Sequence, residues 1–303
     1  MNYELIIIRY AEIGLKAEYT RKKFENTLIK NIKKVLKQKQ IEIEIKKHRG
    51  RIYLYSNQIK KIIPILKSIF GIVSFSPAIK IQTDKTKITK KAVELTKNKI
   101  SKKDKFALRV TRDGKHSFTS QDIAIIAGDA VVKKTGAEVD LTNPDYELFI
   151  EIRNNDTFFY EKKIPAPGGL PIYTQGKVLA IIDTKGSILA TWYIIRRGCS
   201  AIFVICDKKI EKTLKKFITK WFLNFSIVKI DNINNFNERI NKLSIEKNCK
   251  AIITGHALYK NKEKSLEEIK RYKKNMSVPV IHPLIAFNKD EINKKLEEIG
   301  IKK

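Results

Sequence analysis

Short apolar runs that alternate with helical segments constrain the second half of this chain more than any other feature. The runs at 178–182, 201–205, 227–230 and 251–253 are as long as strands, and segments with helical periodicity lie between them. Runs without polar alternation are typical of strands that are buried on both faces of a sheet. The pattern therefore predicts βαβ units around a parallel sheet, an α/β fold of Rossmann-like type.

The first part of the chain has a different order of predicted strands and helices. An apolar strand at 3–8 precedes a helix for which Thr20 is the candidate cap, and two alternating strands follow at 41–46 and 51–55. A helix from Ile59 completes the order strand, helix, strand, strand, helix. This order is most of a ferredoxin-like α+β unit.

The middle of the chain predicts a second α/β segment. A polar helix leads to a strand at 106–111, a helix near 120–134 and two short strands at 147–153 and 157–161. The linker 164–171, which is rich in proline and glycine, marks a domain boundary.

The charge of the chain favours a polyanionic partner. The 303 residues include 62 Lys and Arg against 32 Asp and Glu, a formal net charge of +30, and residues 1–100 hold over half of the excess. A basic surface of this kind is typical of nucleic-acid binding. The alternative is compositional drift in an AT-rich genome, because lysine outnumbers arginine and Ile and Asn are also abundant.

Other classes of protein are disfavoured by what the sequence lacks. No apolar run approaches the roughly 18 residues of a membrane span, and Glu4 and Arg9 bracket the first one, so we expect a soluble, cytoplasmic protein. The three cysteines, Cys199, Cys206 and Cys249, form no CxxC pair, and the histidines are scattered. We therefore predict no metal site.

The turn after the run at 178–182 is the first place where a sheet of this type would bind a ligand. It reads Asp183-Thr184-Lys185-Gly186-Ser187, with a single glycine and with an aspartate where an anion would lie. Lys185 is placed to contact a phosphate, whereas Ser187 is suited to cap the helix that follows. A phosphate cradle would be rich in glycine, so on these residues alone an ordinary strand-to-helix turn is the better interpretation.

Short motifs are spread from one end of the chain to the other. They are Arg9–Lys16, Gly71–Ala78, Val139–Leu141, Pro144-Asp145, Gly168–Pro171, Gly176-Lys177, Thr254-Gly255, Pro283–Ile285 and Asp290–Ile292. In this order and register they resemble the tRNA 4-thiouridine synthetases, or tRNA sulfurtransferases. The resemblance implies a ferredoxin-like domain at 1–76, a THUMP RNA-binding domain at 77–165 and an ATP-pyrophosphatase domain of the PP-loop type at 166–303.

The resemblance also implies a reaction. Family members adenylate the uridine at position 8 of tRNA and then replace the activated oxygen with sulfur from a cysteine persulfide. The implied partner is tRNA and the implied cofactor is ATP, with Mg²⁺ only where ATP binds. Two loops that differ from the family pattern, described next, disfavour ATP binding. The family's sulfur-carrying cysteine falls beyond Lys303, so we assign no catalytic residue in this chain.

The two altered loops carry the nucleotide candidates. The family loop Ser-Gly-Gly-x-Asp-Ser falls on Ile182–Ser187, where only the serine is retained and Asp183 brings negative charge to the pyrophosphate position. The family's Thr-Gly-Glu falls on Thr254-Gly255-His256, and the glutamine expected further on is Lys264. The nucleotide-binding candidates are Ala180, Ile181, Lys185, Ser187, Gly255 and Lys264.

The RNA-binding half retains more of the family pattern. The segment Arg109–Lys115 matches the THUMP motif for which the resemblance implies RNA contacts, and more basic residues surround the first helix start and the first hairpin. The RNA-binding candidates are Lys16, Arg21, Lys22, Lys23, Arg49, Arg51, Arg109, Arg112 and Lys115.

Two functions fit these expectations. The first is a tRNA-binding protein with a degenerate adenylation site, which presents tRNA to a separate catalytic or sulfur-donor subunit. The alternative is an active ATP-dependent tRNA sulfurtransferase, or its adenylating subunit, with an external sulfur donor, in which Lys185 and His256 contact the phosphates. The sequence leaves a homodimer open and does not decide whether the chain is an enzyme.

Overall fold

A computed structural model describes residues 3–48, 50–230, 235–258, 262–273 and 276–301. In chain order its elements are β1 (Leu5–Arg9), α1 (Glu18–Gln38), β2 (Glu44–His48), β3 (Arg51–Tyr55), α2 (Ile59–Leu66), β4 (Ser74–Gln82), α3 (Lys85–Thr96), β5 (Lys105–Asp113), α4 (Ser120–Thr135), β6 (Glu138–Val139), β7 (Tyr146–Arg153), β8 (Asp156–Tyr160), β9 (Ile164–Pro165), β10 (Lys177–Ile182), α5 (Lys185–Arg196), β11 (Ser200–Ile205), α6 (Lys208–Lys220), β12 (Ile227–Lys229), α7 (Phe236–Glu246), β13 (Ala251–Ile253), α8 (Lys262–Lys273), β14 (Val280–Ile281) and α9 (Lys289–Glu298).

The chain divides into two compact units, each of which draws on more than one stretch of sequence. Unit 1 comprises Met1–Arg9, Ile41–Ile63 and Ser74–Pro165, and unit 2 comprises Tyr10–Gln40, Pro64–Val73 and Ala166–Lys303. The finer domain boundaries given above, at 76 and 165, remain predictions.

Unit 1 is built on one mixed sheet. Its strands have the order β2-β3-β1-β4-β8-β7-β5-β6, and β9 pairs with β4. β1 lies antiparallel between β3 and β4, and its apolar side chains are fully buried. β5 pairs in parallel with β7, and α4 supplies the crossover that a parallel pair requires. Ile88 of α3 and Ile123 of α4 pack with Phe106 and Ile150 in the core.

Unit 2 contains a five-stranded parallel sheet in the order β12-β11-β10-β13-β14. Alternate residues of β10 enter two cores: Val178, Ala180 and Ile182 pack in one, and Leu179 and Ile181 pack in the other. Burial on both faces explains the uninterrupted apolar runs of the sequence. After β10 the chain adds β11 and β12 on one side of this strand and then β13 and β14 on the other side. The strand order therefore reverses between β10 and β13, which is where sheets of this class bind ligands.

The structure corrects some local expectations. Helix α1 begins at Glu18 with Ala17 as N-cap, so the prediction of Thr20 as the cap was wrong. The sequence analysis did not predict β4, because Pro77 and two serines interrupt its apolar pattern; Pro77 lies opposite Ile6 in the ladder.

Candidate functional site

The turn at 183–187 lies at the carboxyl end of β10, and Asp183, Thr184 and Ser187 are joined by hydrogen bonds within it. The backbone N–H groups of Asp183 and Thr184 donate to Ser187 Oγ at 3.1 and 3.2 Å. The Ser187 N–H donates to Thr184 Oγ1 at 3.2 Å, and the Ser187 hydroxyl donates to the Thr184 carbonyl at 2.7 Å. Thr184 is therefore the N-cap of α5, and Ser187 is the third helical residue of a capping box instead of the cap itself.

Gly255 closes this turn from the side of β13. A Cβ atom at position 255 would lie 2.5 Å from Ser187 N and 2.7 Å from Ser187 Cα, and both of these are backbone atoms. Glycine is thus required by the close approach of two main chains. The loop after β13 packs directly on the N-terminus of α5, where a phosphate-binding helix would leave its N–H groups open to an anion.

Two histidines share one hydroxyl at the same edge of the sheet. Thr254 is only 2% exposed, and its Oγ1 lies 2.7 Å from His256 Nδ1 and 2.6 Å from His282 Nδ1. A hydroxyl can donate one proton, so at least one of the two rings must donate its own Nδ1–H to Thr254. No local sequence pattern indicates this cluster, because His282 reaches it only through the pairing of Ile253 with Ile281.

The remaining nucleotide candidates have different settings. Ala180 and Ile181 are buried within β10, where they pair in register with Phe203 and Val204 of β11. Lys185 is the first residue of α5 and is half-buried. Lys264 lies in α8, but its side chain falls outside the described residues.

Burial disfavours the thiolate form of all three cysteines. Burial raises the pKa of Cys199 and of Cys249, although a basic neighbour acts against it in each case. Burial, followed by the charge of Asp183, raises the pKa of Cys206 to about 11. A thiol with a raised pKa is a poor nucleophile at neutral pH, as expected of small core residues.

Four of the RNA candidates described by the structure lie in unit 1 and fall into two kinds. Arg51 Nε donates to Glu151 Oε1 at 2.8 Å, and Arg109 Nε donates to Glu147 Oε1 at 2.7 Å, so both guanidinium groups already bind carboxylates. Arg112 and Lys115 are exposed just after the buried part of β5. Arg112 donates to the Gly114 carbonyl at 2.9 Å. Arg49 lies outside the described residues.

The other candidates lie in unit 2, before and within the first turns of α1. Lys16, Lys22 and Lys23 are exposed. Lys22 pairs with Glu18 at 2.7 Å, and Arg21 Nε lies 4.0 Å from a carboxylate oxygen of Glu25. The Lys22–Glu18 pair is exposed and therefore weak, so Lys22 stays available to a stronger anion, whereas the pair of Arg21 with the buried Glu25 is largely shielded from solvent.

Within the described ranges, no three His, Cys, Asp or Glu side chains are grouped so that they could hold a metal ion. None of the described helices has the length and apolarity to cross a bilayer.

Three family patterns match successive parts of the sequence. Residues 5–76 match the ThiI ferredoxin-like domain, residues 82–160 match the THUMP domain, and residues 232–303 match the thiamine biosynthesis protein (ThiI). Together with the two observed sheets they confirm the predicted fold class, a ferredoxin-like domain, a THUMP domain and a parallel-sheet α/β domain.

Curated relatives and solved structures agree with these matches. A probable tRNA sulfurtransferase of Methanobrevibacter smithii is 32% identical over 99% of this chain and 87% of its own length. A probable tRNA sulfurtransferase of Methanocaldococcus jannaschii is 33% identical over 97% of this chain and 87% of its own length. A crystal structure from Pyrococcus horikoshii superposes with a TM-score of 0.83 at 31% identity over 98% of this chain and 99% of that one. A 4-thiouridine synthetase crystallised with RNA and bound ATP superposes with a TM-score of 0.81 at 25% identity, over 99% of this chain and 85% of that one. The chain belongs to the tRNA sulfurtransferase (ThiI) family.

Proposed function

We propose that this chain binds tRNA and that its own sheet edge does not adenylate it. In this role the protein holds tRNA for a separate subunit that supplies the activation or the sulfur. The observation that carries the proposal is the turn at 183–187, in which the N–H groups of Asp183, Thr184 and Ser187 are hydrogen-bonded within the turn itself.

The turn is not suited to bind the phosphates of a nucleoside triphosphate. A phosphate group at a helix N-terminus needs several backbone N–H donors that point at it, but those of Asp183, Thr184 and Ser187 donate to side chains of the same turn. Gly255 packs on Ser187 with no space between the main chains, and the exposed Asp183 adds negative charge. Preorganised donors of this kind contribute roughly 3–4 kcal/mol each to a transition state, so their loss is costly.

Two further observations support the proposal. The ThiI match begins at residue 232, after the turn, so the stretch that holds the altered loop contributes nothing to that match. The thiols of Cys199, Cys206 and Cys249 all have raised pKa values and are unsuited to carry a persulfide. ATP and Mg²⁺ are therefore not part of the proposed activity.

The RNA-binding part of the proposal rests on charge and on relatives. A 4-thiouridine synthetase with the same fold was crystallised as a complex with RNA. The exposed Arg112 and Lys115 lie in the THUMP match, where both side chains are accessible to a phosphate backbone. Neutralised phosphates release counterions, so binding through such residues weakens steeply with salt.

Binding of a 3′-labelled tRNA transcript, measured by fluorescence anisotropy at several salt concentrations, tests this proposal. Arg112→Ala/Lys115→Ala should weaken binding and lower the slope of log K against log salt by about 1.4–1.8. The matched control is Lys133→Ala/Lys134→Ala, which removes the same charge from the exposed end of α4 and should change the slope less. Equal slopes for both variants would contradict the placement of the RNA surface, and no binding by the wild type would contradict the function.

A further inference from the structure

Helix α6 carries a row of lysines that neither the family match nor the RNA candidates above include. The helix holds six lysines and one glutamate in 13 residues. Ile210, Leu214 and Phe217 are buried on one side. Four exposed lysines follow one another at intervals of four residues on the opposite side, and at 1.5 Å per residue the row spans about 18 Å. They are Lys208, Lys212, Lys216 and Lys220.

The charges in this row repel one another. Lysines four residues apart on a helix face each other, and like charges at that spacing destabilise the helix. Lys208 also lies in the first turn, where the helix dipole disfavours a cation. The row therefore costs stability in the absence of an anion.

Few acidic side chains lie near enough to neutralise the lysines of α6. The one carboxylate of the helix, Glu211, pairs with Lys215 at 2.7 Å and with Lys229 at 2.8 Å, and these hydrogen bonds lower its pKa to about 2. Among the described residues, none forms an ion pair with any of the four lysines in the row. Lys220, at the end of the row, differs from the other three lysines, because its Nζ lies 5.5 Å from the centroid of the Trp221 ring and partial burial lowers its pKa.

The spacing of the lysines distinguishes α6 from other basic helices. In the same unit, α1 also carries an excess of positive charge, with seven basic residues against two acidic ones. By contrast, α9 has three lysines against four acidic residues, and α7 has two basic and two acidic residues. The feature particular to α6 is four lysines at regular intervals of four residues.

The position of α6 connects the row to the sheet edge already described. The helix begins three residues after the end of β11, so Lys208 lies at the same carboxyl edge as the turn at 183–187. All four lysines of the row lie on one open face of the helix, together with Glu211, Lys215 and Thr219. An extended polyanion along this face would lead toward that edge.

We propose that the lysine row of α6 binds the phosphate backbone of tRNA and directs one strand toward the carboxyl edge of the parallel sheet. This inference rests on the proposed tRNA-binding function. Lysine is a point charge on a flexible stem, suited to phosphates and not to reading bases. The row therefore adds affinity and orientation without sequence specificity.

The test compares Lys212→Gln/Lys216→Gln with a matched pair in α9, Lys289→Gln/Lys294→Gln, in the full chain. Both variants lose two exposed positive charges. With the same labelled tRNA transcript, the α6 variant should bind more weakly than the wild type, with a salt slope lower by about 1.4–1.8. The α9 variant should retain the wild-type slope.

Thermal unfolding, followed by tryptophan fluorescence, separates binding from folding. Because the α6 substitutions remove repulsion, that variant should melt at the wild-type temperature or above it. Equal slopes for the α6 and α9 variants would overturn the inference; if Arg112→Ala/Lys115→Ala still lowered the slope, the proposed function would stand. A wild-type protein that does not bind the transcript would overturn both.

Discussion

Replacing Glu151 with glutamine should destabilise unit 1 more than any change at its surface. Glu151 is 3% exposed, and three guanidinium groups surround its carboxylate. Arg153 Nε and Arg51 Nε donate to Oε1 at 2.7 and 2.8 Å, and Arg9 donates to Oε2 at 3.1 Å. The Tyr160 hydroxyl donates to the same oxygen as Arg9, at 3.3 Å. Without the carboxylate, three partly buried cations would repel one another.

The magnitude can be worked out from the pKa of this carboxyl group. Burial raises the pKa of Glu151, but Arg51, Arg9 and Arg153 together outweigh it and lower the pKa from 4.5 to about 2. A fall of this size corresponds to about 3 kcal/mol of folding free energy. Because the folded-state pKa is depressed, this stability is present above pH 4.5 and is lost as the pH falls toward 2. Breaking a buried ion cluster by removing one partner typically costs about 3–5 kcal/mol.

Amide hydrogen exchange is the suitable assay, because it reports on unit 1 directly. Both tryptophans, Trp192 and Trp221, belong to unit 2. At pH 7, Glu151→Gln should reduce the protection of the β7 and β8 amides by roughly a hundredfold, the equivalent of about 3 kcal/mol. The control is Glu94→Gln, which removes an exposed pair with Lys91 and should cost under about 1 kcal/mol. Unchanged protection in Glu151→Gln would refute the reasoning.

Three smaller perturbations test the sheet edge of unit 2. Gly255→Ala should lower the free energy of unfolding by about 1–3 kcal/mol, because the new methyl group would meet the Ser187 backbone; an unchanged melting curve would contradict that packing. Thr184→Ala should cost about 1 kcal/mol through loss of the helix cap, measured by urea unfolding. Native Cys206 should react slowly with a thiol reagent at pH 8 and faster toward pH 11, since burial and Asp183 raise its pKa to about 11; fast labelling at neutral pH would count against this.

The sequence predicted the parallel sheet well because burial on both faces leaves a strong signal. The run at 251–253 is strand β13 without change, and β10 and β11 each extend their predicted runs by one residue. The helix α4, predicted near 120–134, ends at Thr135, where Gly136 adopts a positive φ of 72°. These elements depend on local periodicity and caps, which sequence reasoning can detect.

The sites were harder to predict because their contacts join distant parts of the chain. Arg51 was a candidate for RNA, but it binds Glu151, which is 100 residues away in the sequence. The histidine pair around Thr254 forms only once β13 and β14 lie side by side. The lysine row of α6, by contrast, is visible as a four-residue period in the sequence. Only the structure shows that Ile210, Leu214 and Phe217 are buried, so that the lysines lie on the exposed face.

The central claim is that this chain holds tRNA but does not activate it, and release of AMP or pyrophosphate tests it most directly. Purified protein would be incubated with ATP, Mg²⁺ and a saturating tRNA transcript, with heat-inactivated protein as the control and tRNA binding measured in parallel. We predict salt-dependent tRNA binding with product formation no higher than in the control. Product formation that requires both the active protein and tRNA would contradict the claim and show that the altered turn at 183–187 still supports adenylation.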